Sequence, residues 1–290
     1  MATTISRIDL EVFQHAVLAL HAARDLASLR QVAPRVFRAA IPADLFTWIE
    51  SAGGRLDGQH GETMLWEEPQ RSTPELLRRL EPLLPEHPFA ERIVVHGERG
   101  PFRLSDFWTR RQQLASAFHR EFYQHLGIDR LLCVATVRRA RAGAINLARH
   151  PGARDFSERD RALLGLLAPH FVQALDAAEQ ATARHESEAR LGAAFGLTAR
   201  EAEVAAWLVR GRTNAEIARI LAARPRTVEK HVEKILDKLG VENRTAAARV
   251  IFGRAALELT EAPVPAADPR TAFSRMLGSR PGQRRRTARR

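Results

Sequence analysis

Pro225-Arg-Thr-Val-Glu-Lys-His-Val-Glu-Lys-Ile-Leu-Asp-Lys-Leu-Gly240 carries its apolar residues Val228, Val232, Ile235 and Leu239 at spacings of four, three and four. That spacing puts them in one seam of an α-helix, so this stretch reads as a helix with a single buried face. Pro225 suits the first helical position, where a missing N–H costs nothing. Gly240 suits the end, where glycine accepts left-handed geometry. The other faces carry Arg226, Thr227, Lys230, His231, Lys234 and Lys238. Lys230, Lys234 and Lys238 are the only lysines in the chain, and their spacing of four sets them along one stripe. With no earlier lysine, the preceding sequence cannot hold a phosphate-loop GK[ST], a Schiff-base lysine or a phospho-receiver lysine.

Working outward, the flanks supply the rest of a small helical module. Thr198 and Glu201 form a capping-box pair ahead of a helix that buries Val204, Ala205 and Leu208, with Trp207 beside them, and that ends at Gly211. Thr213-Asn214-Ala215-Glu216 repeats the device for a helix burying Ile217, Ala218 and Leu221. Ala222-Ala223-Arg224 makes the turn into the Pro225 helix, and Asn243 caps a fourth helix from Arg244 to Phe252. A helix with one apolar seam fits the major groove, about 12 Å wide. Its N-terminal half would face bases, while threonine, lysine and the helix N-terminus would hold phosphates.

This stretch resembles the LuxR/GerE family of helix-turn-helix regulators. The family pattern, roughly L-T-x-R-E-x-E-V through E-I-A-x-x-L to T-V-x-x-H-x-x-x-I-x-x-K-L-G-V-x-x-R, is met at many points. They are Leu197, Thr198, Arg200, Glu201, Glu203, Val204, Gly211, Asn214, Glu216, Ile217, Ala218, Leu221, Thr227, Val228, His231, Ile235, Lys238, Leu239, Gly240, Val241 and Arg244. The resemblance implies a sequence-specific DNA-binding regulator of transcription. Its DNA-contacting set here would be Thr213, Asn214, Arg224, Arg226, Thr227, Lys230, His231, Lys234, Lys238 and Arg244. Two departures stand out. Arg224 occupies a position where relatives often have a capping serine. Glu229 and Glu233 occupy groove-facing positions often filled by lysine; a carboxylate repels phosphate but accepts from cytosine N4.

Charge separates this region from the rest. The chain has 290 residues and a formal charge of +11. Residues 1–196 hold 25 arginines against 24 acids, whereas residues 266–290 hold eight arginines against one aspartate. The basic end suits a polyanionic partner, and the first two thirds do not. The single cysteine, Cys133, sits in an apolar run and reads as a buried, reduced thiol in a cytoplasmic protein. No apolar stretch is long enough to span a membrane.

The first two thirds mix helix and strand signals. Helices are expected over Ile8–Ala23 and Ser28–Ala40, strands over Asp44–Ser51 and Glu62–Glu67, and a short helix over Thr73–Leu84. A loop from His96 to Leu104 leads into a helical region from Ser105 to Leu126. Strands Arg130–Val137 and Ala142–Ala148 follow, then a long helix from Ser157, capped by Ser157 and Asp160 and kinked at Pro169. The order suggests an α+β sandwich similar to GAF or PAS sensor modules. The expected organisation is a GAF-like sensor domain over 1–182, a linker over 183–194, an all-α four-helix helix-turn-helix domain over 195–254 and a disordered basic tail over 255–290.

Relatives of the family carry receivers, ATPases or acyl-homoserine-lactone pockets. The missing lysines argue against the first two. The lactone receptors' W-x-x-x-Y element is absent, since Trp48 and Trp66 have no tyrosine nearby and the only tyrosine is Tyr123. Trp48, Trp66, Trp108 and Tyr123 are the candidates for lining a small-molecule pocket of unknown specificity. His119 and His125 are six apart, on different helix faces, so neither a metal nor another cofactor is expected. Expected partners are duplex DNA, a second copy of the chain, an unidentified small molecule and RNA polymerase. The helix around Leu164–Ala178 and the last helix around Ala247–Val250 are the candidate dimer surfaces. The competing reading is an enzyme or small-molecule-binding protein whose helix-turn-helix serves protein contacts.

Overall fold

The computed structural model describes residues 5–51, 81–94, 96–138 and 141–258. Two compact units divide the chain, one reaching to Ala178 and the other running from Glu179 to Pro265.

The first unit opens with two capped helices. Ser6 and Asp9 exchange reciprocal bonds at the start of α1 (Arg7–His21), and Asp25 and Ser28 do so at α2 (Leu26–Ala40). The Asp25 box explains why α2 begins two residues before the expected Ser28. Strand β1 (Leu45–Ser51) follows. A 3₁₀ turn (Glu81–Glu86) leads to α3 (Pro88–Val94) and the short β2 (Phe102–Arg103), which lies inside the expected loop. The expected helical region beyond it is broken. It consists of a 3₁₀ turn (Leu104–Asp106), α4 (Arg110–Ala115), capped by Thr109 and Gln112, and a π-helical turn (His119–Tyr123) running into α5 (Gln124–Leu126). Strands β3 (Arg130–Arg138) and β4 (Arg141–Arg149) precede the 38-residue α6 (Glu158–Phe195). The Ser157–Asp160 cap forms as expected. Helix α6 is continuous through Pro169, and it includes residues 183–194, so the expected linker is helical. The strand expected at Glu62–Glu67, most of the helix at Thr73–Leu84, and the basic tail beyond residue 258 lie outside the described residues.

The four strands form one antiparallel sheet in the order β1-β4-β3-β2, with Trp48 opposite Ile145 and Cys133 opposite Asn146. Because side chains alternate across a strand, each central strand feeds two cores. Phe46, Trp48, Leu132, Val134, Ile145 and Leu147 pack against α1, α2 and α6 through Leu20, Leu29, Phe37 and Phe171. Leu45, Leu131, Cys133, Ala135 and Ala148 pack on the other side with Phe89, Phe102, Phe118, Tyr123 and Leu126. The sheet is therefore covered on both faces, a mixed α/β layering.

A charged pair, Arg138 and Glu50, is buried at the sheet. Arg138 donates to Glu50 Oε2 at 2.6 Å and to Asp176 Oδ1 at 3.0 Å, tying the ends of β3 and β1 to α6. Its guanidinium also lies over the Trp48 ring. A buried guanidinium is tolerated only with such partners.

The second unit is all-helical beyond α6: α7 (Ala199–Val209), α8 (Asn214–Ile220), α9 (Pro225–Leu239) and α10 (Arg244–Glu258). Its core is Val204, Ala205, Leu208, Ile217, Ala218, Val228, Ile235, Ala247 and Ile251.

Glu50→Ala strips one carboxylate from the buried Arg138. It should lower the stability of the first unit by about 3 kcal/mol in urea denaturation followed by tryptophan fluorescence. A loss below about 1 kcal/mol would mean that water compensates the guanidinium.

Candidate nucleic-acid interface

The interface is built by the helices that hold α9. Thr198 accepts from the Glu201 N–H while Glu201 Oε2 accepts from the Thr198 N–H at 2.8 Å; Thr213 and Glu216 repeat the pair. Arg200 donates to the Leu221 carbonyl at 3.0 Å and to Glu203 at 2.6 Å, tying α7 to the end of α8. The turn into α9 puts Ala222 at a φ of 49°, left-handed geometry that costs a residue with a Cβ about 1 kcal/mol. Arg224 sits at the N-cap of α9 and makes no side-chain cap bond, and Pro225 takes the first turn. Gly240, at a φ of 65°, ends the helix.

The expected DNA-contacting residues fall into three groups. Arg224, Arg226, Thr227, Lys230 and Lys234 are exposed. Among the described residues none of Arg226, Lys230 and Lys234 is in an ion pair. Thr213 is exposed but occupied as a cap; Asn214 and His231 are half-buried, with Asn214 Oδ1 and His231 Nδ1 unpaired among the described residues. Lys238 and Arg244 are engaged within the module. Lys238 Nζ donates to Glu201 Oε2 at 2.6 Å and to the Gly196 carbonyl at 2.9 Å. Of the three lysines it is the one with internal partners among the described residues. A spacing of four overshoots the 3.6-residue turn, so the lysine stripe winds away from the outward side by its third member. Arg244 donates to the Arg212 carbonyl, anchoring the start of α10. The buried seam is also narrower than expected: Val228 and Ile235 are buried, Val232 and Leu239 only half-buried.

Electrostatics distinguish α9 from its neighbours. Helices α7 and α8 carry a glutamate in the first turn, as the helix dipole favours, whereas α9 has none and presents Arg226 there. A cationic, uncapped helix start is a place for an anion to bind.

The aromatic candidates of the first unit do not form one site. Trp48 is fully buried in the core under α6, edge-on to Phe171. Trp108 and Tyr123 lie on the opposite face of the sheet, so the sheet separates them from Trp48. Trp66 lies outside the described residues. What sequence reading missed on that face is His87. Its Nε2 lies 2.6 Å from the Tyr123 hydroxyl, inside a box of Phe89, Trp108 and Phe118. The Phe89 N–H donates to His87 Nδ1, which leaves Nε2 as the protonated nitrogen and donor to Tyr123. Burial lowers the His87 pKa to about 3 and raises the Tyr123 phenol well above its ordinary value. The Tyr123 hydrogen has no acceptor among the described residues. Cys133 is buried on this face, as expected, its thiol pushed up to about 12 by burial.

Of the candidate dimer surfaces, the Leu164–Ala178 stripe is consumed by the first unit's own core. On α10, Ala247 is buried, while Val250 and Phe252 are 39% and 57% exposed. Among the described residues no helix is long and apolar enough to cross a membrane.

Comparison with known proteins places these observations. Residues 196–251 match the family model described as bacterial regulatory proteins, luxR family. The chain is 27% identical over 164 residues to y4qH of Sinorhizobium fredii, a protein named as an HTH-type transcriptional regulator. That alignment covers 55% of this chain and 47% of y4qH, so the chain spans about half the length of the curated relative it matches. Among solved structures it is similar to the VqsR LBD domain of Pseudomonas aeruginosa (TM-score 0.42, 14% identity, 60% of this chain and 97% of that one). It is also similar to SdiA in complex with octanoyl-rac-glycerol (TM-score 0.41, 14% identity, 85% and 95%). A second structure, Escherichia coli SdiA, has a TM-score of 0.39 and 16% identity over 86% and 99%.

The Lys238 clamp has a pH signature. Hydrogen bonding from Lys238, then from the Thr198 backbone, lowers the Glu201 pKa from 4.5 to about 2. The resulting stabilisation is complete above the unfolded value and is lost as pH falls toward the folded one. Lys238→Met should therefore lower stability by about 1–2 kcal/mol near pH 6 in denaturant titration, with the gap to wild type narrowing below the unfolded value of 4.5 and closing only near pH 2. An equal gap at both pH values would mean that lost packing, not charge, is responsible.

Proposed function

We propose, from a GerE/LuxR-family helix-turn-helix domain over residues 196–251, that this chain is a sequence-specific, signal-responsive regulator of transcription. The observation that carries the reading is the outward side of α9. Arg226, Thr227, Lys230 and Lys234 stand exposed beside an uncapped helix start, and the cations have no internal partner among the described residues. That is the disposition a helix needs to lie in a major groove with its first turn against phosphate.

The contacting set is Arg224, Arg226, Thr227, Lys230 and Lys234, with Thr213, Asn214, His231 and Arg244 at its edge. Two copies reading a two-fold site gain affinity from being joined, and the exposed Val250 and Phe252 of α10 are the surface that pairs them. The first unit serves as a sensor of GAF-like layout for a small molecule in the cytoplasm. The aromatic face around Tyr123, with its unspent hydroxyl hydrogen, supports a ligand that is largely apolar and offers one acceptor. RNA polymerase is the further partner through which such a regulator acts.

Gel-shift titration in rising salt tests the reading. Affinity should fall steeply with salt, and replacing Lys230 and Lys234 by alanine should weaken binding and flatten the log–log salt slope by at least about one. A doubly substituted protein with an unchanged slope would remove α9 from the groove.

A further inference from the structure

We infer that Glu233 reads a cytosine in the major groove, a conclusion that rests on the DNA-binding reading above. The apolar seam of α9 is Val228, Val232, Ile235 and Leu239, packed on the core of the module. Two residues earlier in each turn lies the ridge diametrically opposite: Arg226, Lys230, Glu233 and Asp237. All four are exposed. The outermost line of the helix is thus cationic in its first half and anionic in its second.

That polarity works against the helix itself. The dipole favours anions at the start and cations at the end, the reverse of this ridge. Glu229, Glu233 and Asp237 also follow one another at spacings of four, where like charges repel. Three acids of the module are neutralised, Glu201 by Lys238, Glu203 by Arg200 and Glu216 by Arg212, while the exposed Asp237 and Glu242 are in no ion pair among the described residues. Among the described residues Glu229 and Glu233 have no such partner. An exposed, unpaired carboxylate on the crest of a groove-binding helix therefore serves something other than the fold.

The chemistry of the groove narrows what that is. A carboxylate only accepts hydrogen bonds. Guanine and thymine offer it acceptors, and adenine sets its N7 acceptor beside its amino donor; cytosine offers N4–H₂ alone. Lys230, one turn earlier, has the complementary preference for guanine O6 and N7. Three residues of helix rise about 4.5 Å, close to the roughly 3.4 Å between stacked base pairs, so the two side chains address adjacent steps. Glu229 lies on the flank of the ridge, nearer the phosphate wall. Asp237 is shorter and a full turn further out. The half-site accordingly contains a guanine facing Lys230 next to a pair whose cytosine faces Glu233.

Selection from a random duplex pool with the full-length protein, with Glu233→Ala and with Glu233→Gln tests this. Wild type should enrich a cytosine at one position of the half-site. Glu233→Ala should lose that preference by about tenfold with the other positions intact. Glu233→Gln should shift it toward adenine, since an amide can pair with adenine N6 and N7. Because Glu233 is exposed and unpaired and has like charges four residues to either side, both variants should melt with wild type or slightly above it. If Glu233→Ala instead binds every duplex more tightly by one common factor with preferences unchanged, Glu233 merely repels phosphate and the inference is overturned. If wild type shows neither sequence preference nor salt dependence, the DNA-binding reading itself has failed.

Discussion

Helix α9 is held to its module along a line whose fully buried part is only Val228 and Ile235, and the character of the second unit follows from how narrow that line is. A wider apolar stripe would sink the helix among its neighbours. Two buried anchors with half-buried flanks leave most of the cylinder in water. The neighbouring helices compensate by locking themselves: capping boxes at both starts, Arg200 on the Leu221 carbonyl, and Lys238 bridging Glu201 and the Gly196 carbonyl. Much of the family pattern is explained by these ties. Arg200, Glu201, Lys238 and Arg244 belong to the frame that holds the residues between them in place.

The first unit solves a different problem. Its sheet is covered on both sides, so charge at the sheet has to be neutralised in place, as Arg138 is by Glu50 and Asp176. The two faces are not equivalent. One is a dense aliphatic and aromatic core under α1, α2 and α6. The other gathers rings from short, irregular segments around a histidine–tyrosine pair, where regular secondary structure is sparse among the described residues.

How much of this was legible in the sequence depended on the range of the interaction. Caps, helix ends and the α9 seam are local, and Thr198, Thr213, Pro225, Asn243 and Gly240 occupy the positions their chemistry indicates. Strands β1, β3 and β4 were readable from apolar runs bounded by turns. Contacts between distant residues were not. Nothing near Lys238 marks it as the partner of Glu201, which lies in another helix. Nothing near Trp48 tells that a sheet separates it from Tyr123. His87 drew no notice because a histidine among prolines carries no periodicity; its role depends on a hydroxyl 36 residues away.

The His87–Tyr123 pair has one more consequence. With the imidazole held uncharged down to about pH 3, the phenol raised and the Cys133 thiol near 12, these three groups on the aromatic face keep a constant charge throughout the neutral range. Any molecule recognised there meets three groups whose own charge does not change with pH in that range. Their part in its capture would be indifferent to modest acidification and would rest on shape and on a single directional bond.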